Sequence, residues 1–173
     1  MGNAASIDYQ DRDDLTKIES QWRKLAGHMR PPRRDWAAAV VRAATAAEIA
    51  ANLSVRAEYK NRNVAVSADA INGYLKAANG LDGKMQRLIR PLFVDSAATL
   101  DQIEALYAAM SPAIKKRNGI VHGGEFCDEA PAREHIAACK AFVEGLVGIY
   151  HPNFELADPA ARGIGSDSNE SRP

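Results

Sequence analysis

The sequence predicts an all-α protein, a bundle of about five to six helices with antiparallel core helices. Aromatic residues make up only 6% of the chain while alanine is abundant, which suits closely packed helices better than a sheet sandwich. Apolar residues recur every three or four positions in several long stretches. No alternating apolar-polar run outcompetes those helical periods, and no segment repeats.

The elements follow in order. In DDLTKIESQWRKLAGHM, Leu15, Ile18, Trp22 and Leu25 share one face, and Gly27 offers a stop. Next comes RPPRRDWAAAVVRAATAAEIAANLSVRAEYKNRN, where Pro31 and Pro32 precede strong helix formers and Trp36, Val40, Ala44, Ile49 and Leu53 recur; it predicts the longest and central helix. After a turn at 61–63, VSADAINGYLKAANG predicts a short helix with Ser67 as N-cap, Ile71 and Leu75 inward and Gly80 at its end. LDGKMQRLIRPLF is a second short amphipathic piece that Pro91 interrupts. SAATLDQIEALYAAM places Leu100, Ile103, Leu106 and Met110 on one face. Ser111 and Pro112 then cap and restart the chain, so that PAIKKRNGIVH forms a second helix or a kinked extension, ended by Gly123 and Gly124. The last helix, PAREHIAACKAFVEGLVGIY, starts at Pro131 and turns Ile136, Cys139, Phe142, Val143, Leu146 and Ile149 inward.

At 173 residues the chain suits one domain around one core. Residues 1–8 and 155–173 carry little to bury and read as disordered tails, leaving a domain over 9–154. Lys plus Arg and Asp plus Glu each number 22, so no global field recruits a polyanion and a nucleic-acid site must come from local clustering. With two cysteines and no leader pattern, the expected compartment is a reducing cytoplasm. The most apolar run, Trp36 to Val55, contains Arg42 and Glu48 and reads as a buried helix, so no membrane association is expected.

The stretch RNGIVHGG, after Lys115 and Lys116, carries the chemistry. At 100° per residue Asn118 and His122 share a helix face, whereas Arg117 is displaced by about 140° and must curl round to reach it. A guanidinium forks onto phosphate, an amide orients a hydroxyl or phosphate oxygen, and an imidazole titrates near neutrality. Those groups suit RNA cleavage, in which the 2′-hydroxyl is the nucleophile and no metal is required. Such cleavage is served better by two histidines than one, which points to a site shared across a symmetric dimer. A plain structural account competes: the basic residues complement a helix C-terminus and one glycine supplies the left-handed cap.

The segment RNGIVHG resembles the Arg-Asn-x-x-x-His form of the signature of the HEPN superfamily. The order of elements is similar too, with a long alanine-rich helix bearing an internal glutamate (AATAAEIAANL), then short helices, a motif-bearing helix and a closing helix, over about Trp36 to Tyr150. The resemblance implies a HEPN-like bundle, a metal-independent endoribonuclease acting as a homodimer on an RNA substrate without cofactor, and a toxin or antiviral-defence role with an antitoxin or defence-system partner protein. It assigns catalysis to Arg117 and His122, supported by Asn118. Lys115 and Lys116 would contact the RNA backbone. Glu48 matches a glutamate of the family's long helix, or serves as a buried ion-pair partner for Arg117. Gly124 stands where the branch paired with nucleotidyltransferase antitoxins commonly has a tyrosine, which weakens any inference of an adenylylating antitoxin. A non-catalytic HEPN-like dimeric module that binds a protein, nucleotide or nucleic-acid partner is the rival from another class.

Other candidates read as structural. Cys127, His135 and Cys139 lack zinc-site spacing, and Cys139 falls on an apolar face, so no metal is expected. His28 and His151 read as solvent-exposed. The clusters at Arg30, Arg33 and Arg34, at Lys60 and Arg62, and at Lys84, Arg87 and Arg90 read as solvated faces.

Overall fold

The computed structural model describes residues 12–32, 34–63 and 65–159. It is all-helical, with six helical runs and no strand among the described residues. They are α1 (Asp14–His28), α2 (Trp36–Asn61), α3 (Ala68–Ala77), the run 80–93, α6 (Ala97–Gly123) and α7 (Glu129–Gly148). The run 80–93 consists of α4 (Gly80–Lys84), a π-helical segment (Met85–Ile89) and α5 (Arg90–Phe93).

Side chains at the helix starts begin the first three elements. Asp13, Asp35 and Ser67 accept from the backbone N–H three residues on, at 2.8, 2.8 and 3.2 Å, each satisfying one otherwise orphaned donor. The expected interruption at Pro91 takes a different form. The backbone N–H of Arg90 bonds the carbonyl of Met85, a π register that lets the helix continue through a residue with no N–H of its own. The expected restart at Ser111 and Pro112 is likewise replaced by one unbroken 27-residue helix, which makes α6, not the 26-residue α2, the longest.

Helix α2 is central because alanine covers it. Ala39, Ala43, Ala46, Ala47, Ala50 and Ala51 are fully buried, and their small side chains let α1, α6 and α7 approach on different sides. By length and composition alone α2 could cross a bilayer, but 61% of its apolar window is buried inside the bundle. Side-chain contacts give the helix directions. Arg42 bonds Gln21 at 3.1 Å and Arg56 pairs with Asp14, so α1 runs antiparallel to α2. Arg133 stacks over Trp36 at 5.0 Å while Tyr150 donates to Glu58 at 2.8 Å, so α7 runs parallel to α2. At Gly145 a Cβ would lie 2.3 Å from Leu106 Cδ1, so the missing side chain lets α6 pack closely on α7.

The core joins Ile18, Trp22 and Leu25 to Ile103, Met110, Ile136, Phe142, Val143 and Leu146. Each such side chain contributes roughly 1.5–3 kcal/mol by its burial. Two expectations at the C-terminal end need correction. Ile149 is 39% exposed, because α7 ends at Gly148 and the chain turns there. Packing also does not stop at Phe154: Leu156 is buried and the Trp22 indole N–H donates to the Ala157 carbonyl at 2.8 Å, closing the otherwise unmet polar end of a buried indole. Residues 1–11 and 160–173, most of the expected tails, lie outside the described residues.

Candidate functional site

The C-terminal two turns of α6 carry the RNGIVH motif, and a glycine cap fixes where they end. Gly124 adopts φ 66°, its N–H bonds the Ile120 carbonyl at 3.1 Å, and the Glu125 N–H returns to the Gly119 carbonyl at 3.2 Å. Glycine takes that left-handed backbone conformation at the least steric cost. The returning chain lays Glu125 across Gly119, where a Cβ would meet the carboxylate at 2.2 Å, and there Glu125 pairs with Lys116 at 2.8 Å. The plain capping account is therefore correct for Gly124, and it coexists with a site.

Arg117, Asn118 and His122 do converge. All three line one cavity of about 320 Å³, together with Ile114 of the same helix. Arg117 covers the angular distance by bending onto its neighbour: its Nη1 donates to the Asn118 side-chain carbonyl at 3.0 Å. Asn118 thus steers the guanidinium rather than the imidazole. His122 is exposed and its side chain makes no hydrogen bond among the described residues.

The facing wall comes from α2 and the start of α4, as Ala44, Glu48, Asn79, Gly80, Leu81 and Asp82. The start of α4 is held tightly against the end of α3. At Gly83 a Cβ would stand 1.8 Å from the Ala78 carbonyl oxygen, so only glycine lets the chain fold back there. Glu48 lines the cavity, but its ion-pair partner is Lys84 at 2.6 Å and not Arg117. Lys84 is also misjudged as part of a solvated basic face, being only 5% exposed. Its ammonium leaves water because Glu48, one helix away, supplies the compensating charge.

Asp82 is fixed from the other side. The Tyr107 hydroxyl donates to its Oδ1 at 2.5 Å. Burial, reinforced by that hydrogen bond, pushes the Tyr107 phenol up to about 12, so it stays a donor across the neutral range. Three residues along α6, Glu104 forms a two-pronged pair with Arg90, and the Arg90 hydrogen bond holds its carboxyl below the usual range. Together Tyr107 and Glu104 brace the run 80–93 against the motif helix.

Lys115 and Lys116 do not line the cavity; Lys115 is exposed and Lys116 is held by Glu125. Asn79, Asp82, Lys84 and Tyr107 are the residues the sequence analysis missed. Asp82 and Lys84 stand within four residues of a helix end, and nothing in their spacing to Glu48 or Tyr107 marks the contact. Elsewhere, Cys139 is wholly buried, which pushes its thiol up to about 12, as befits a core residue. Burial likewise lowers the His135 imidazole. No three His, Cys, Asp or Glu side chains among the described residues are placed to hold a metal ion. A larger, more open hollow of about 570 Å³ near His151 has its best anion ligand, Arg56, committed to Asp14 and Asn72.

Comparison with protein-family models, curated proteins and solved structures returned no match for this chain.

Proposed function

We propose that the protein is a HEPN-like, metal-independent endoribonuclease that cleaves RNA through 2′-hydroxyl attack. The observation that carries this reading is the convergence of Arg117, Asn118 and His122 on one cavity of about 320 Å³, although Arg117 leaves the helix about 140° away from the face that Asn118 and His122 share. In the reaction the 2′-oxygen bonds to phosphorus while the bond to the 5′-oxygen breaks. One imidazole takes the 2′-hydroxyl proton and an acid returns a proton to the leaving 5′-oxygen. Arg117, held by Asn118, is placed to meet the charge that builds on the phosphoryl oxygens.

The second proton-transfer group would be His122 of a second copy in a homodimer. Exposed Val121 within the motif and Phe126 just after it, at 48% and 90%, supply apolar surface for that contact. A toxin or defence role, with a neutralising or activating partner protein, follows from the family resemblance. The rival reading is a dimeric module that only binds. It is favoured by the His122 imidazole, which is exposed and accepts or donates no hydrogen bond among the described residues.

The test is cleavage of a mixed RNA by purified wild type and His122→Ala, with EDTA present and product ends identified by mass spectrometry. Cyclic 2′,3′-phosphate ends made by wild type alone are expected. Equal cleavage by both proteins would remove the assigned chemistry, and no cleavage by either as folded dimers would favour the binding module.

A further inference from the structure

The cavity is divided in charge. Its α6 wall offers Arg117, Asn118 and His122, and its facing wall offers the carboxylates of Glu48 and Asp82 with Asn79 beside them. A bare polyphosphate would suit the first wall and be repelled by the second. Neither carboxylate is loose, although Asp82 is exposed. Glu48 is anchored through Oε1 to a Lys84 that is itself 5% exposed, and Asp82 through Oδ1 to Tyr107, which leaves Oε2 and Oδ2 without a hydrogen-bond partner among the described residues. Each is an acceptor held in place on a wall whose opposite side favours phosphate.

An ionised carboxylate only accepts hydrogen bonds. Of the four RNA bases, guanine alone presents two adjacent donors and no intervening acceptor on its Watson–Crick edge, at N1–H and N2–H. Adenine and cytosine place a ring acceptor beside the amino group, which a carboxylate repels. Uracil places its single N–H between two carbonyls, which a carboxylate repels equally. A volume of about 320 Å³ falls within the range of small-ligand pockets.

We infer that the Glu48–Asp82 wall is a guanine subsite, so that the ligand of this cavity is a guanine nucleotide with its phosphate at Arg117 and its N1–H, N2–H edge at the anchored carboxylates. This rests on the nucleotide-level reading of the site above, and it adds a base preference that the RNGIVH motif does not contain. Lys84 and Tyr107 act here as positioning residues, because each fixes one carboxylate oxygen and leaves the other for the base.

The experiment is calorimetric titration of full-length wild type, Asp82→Asn and Glu48→Gln with 5′-GMP, 5′-IMP, 5′-AMP, 5′-CMP and 5′-UMP. IMP lacks only the N2 amino group, so wild type should bind GMP at least about tenfold more tightly than IMP, the ratio for one hydrogen bond to a charged acceptor. Asp82 is exposed on a short helix, so Asp82→Asn should fold and should reduce the GMP-to-IMP ratio to below about threefold, a partial loss of that same contact. Equal affinity for all five nucleotides, no measurable binding, or a GMP preference kept by both variants would overturn the inference. The binding measurement needs no turnover. A GMP preference without RNA cleavage would therefore remove the nuclease reading alone, and cleavage without base preference would remove the guanine subsite alone.

Discussion

Breaking the Glu48–Lys84 pair from its two ends should have unequal costs, because the two side chains differ in access to water. The Lys84 side chain is 6% exposed and that of Glu48 is 34% exposed. Glu48→Gln keeps shape and an acceptor but strands an ammonium in the bundle. Truncating one partner of a buried pair costs about 3–5 kcal/mol, and the partial wetting of the Glu48 end reduces this to roughly 2–3 kcal/mol. Lys84→Met instead leaves a carboxylate that water already reaches and puts an apolar chain of similar length among apolar neighbours, for a cost of about 1 kcal/mol or less. In the double variant neither charge is stranded, so its cost should match Lys84→Met, with a coupling of about 2 kcal/mol. Urea unfolding followed by circular dichroism, with equal slopes for all four proteins, would measure it. Additive costs, or a Lys84→Met loss as large as that of Glu48→Gln, would refute the claim that Glu48 keeps a buried charge in the wall of the site.

Three further outcomes rest on single contacts. Trp22→Phe removes the indole N–H to the Ala157 carbonyl and should cost about 1 kcal/mol plus lost contact area, with hydrogen exchange rising first in residues 155–159. Gly83→Ala places a methyl group against the Ala78 carbonyl and should cost at least about 2 kcal/mol, read as a lower urea midpoint; an unchanged midpoint would mean α4 is not held against Ala78 as described. The Tyr107 phenol, raised from 10.0 to about 12, keeps its proton in the folded chain after the unfolded chain has lost it. Stability from this group is therefore complete below pH 10 and is lost as pH rises through about 12, and Tyr107→Phe should flatten that part of the pH profile.

What the sequence made legible was what periodicity and caps encode. The inward face of α1, that of α7 as far as Leu146, the Ser67 cap and the left-handed glycine after the motif all depend on residues within a turn or two of each other, and they hold in the structure. Where the reading failed, a local rule met a local rescue. Pro91 should end a helix, but the π register before it removes the need for its missing N–H; Pro112 is exposed within α6, and that helix runs unbroken through it. Neither rescue has a composition signal.

The candidate site divides along the same line. Arg117, Asn118 and His122 could be found because one helix carries them all and spacing relates them. The opposite wall could not, because its contacts join residues 36 and 25 positions apart on different elements, Lys84 to Glu48 and Tyr107 to Asp82. In KMQRLIR, Lys84 looks like its neighbours Arg87 and Arg90, yet those two are exposed and it is buried. The helical rotation that points Met85, Leu88 and Ile89 into the core carries Lys84 with them, toward a carboxylate on α2. A lysine placed there is tolerated only with a partner, so its burial is itself the reason to expect an acid opposite, and Glu48 is the acid that α2 supplies at that level.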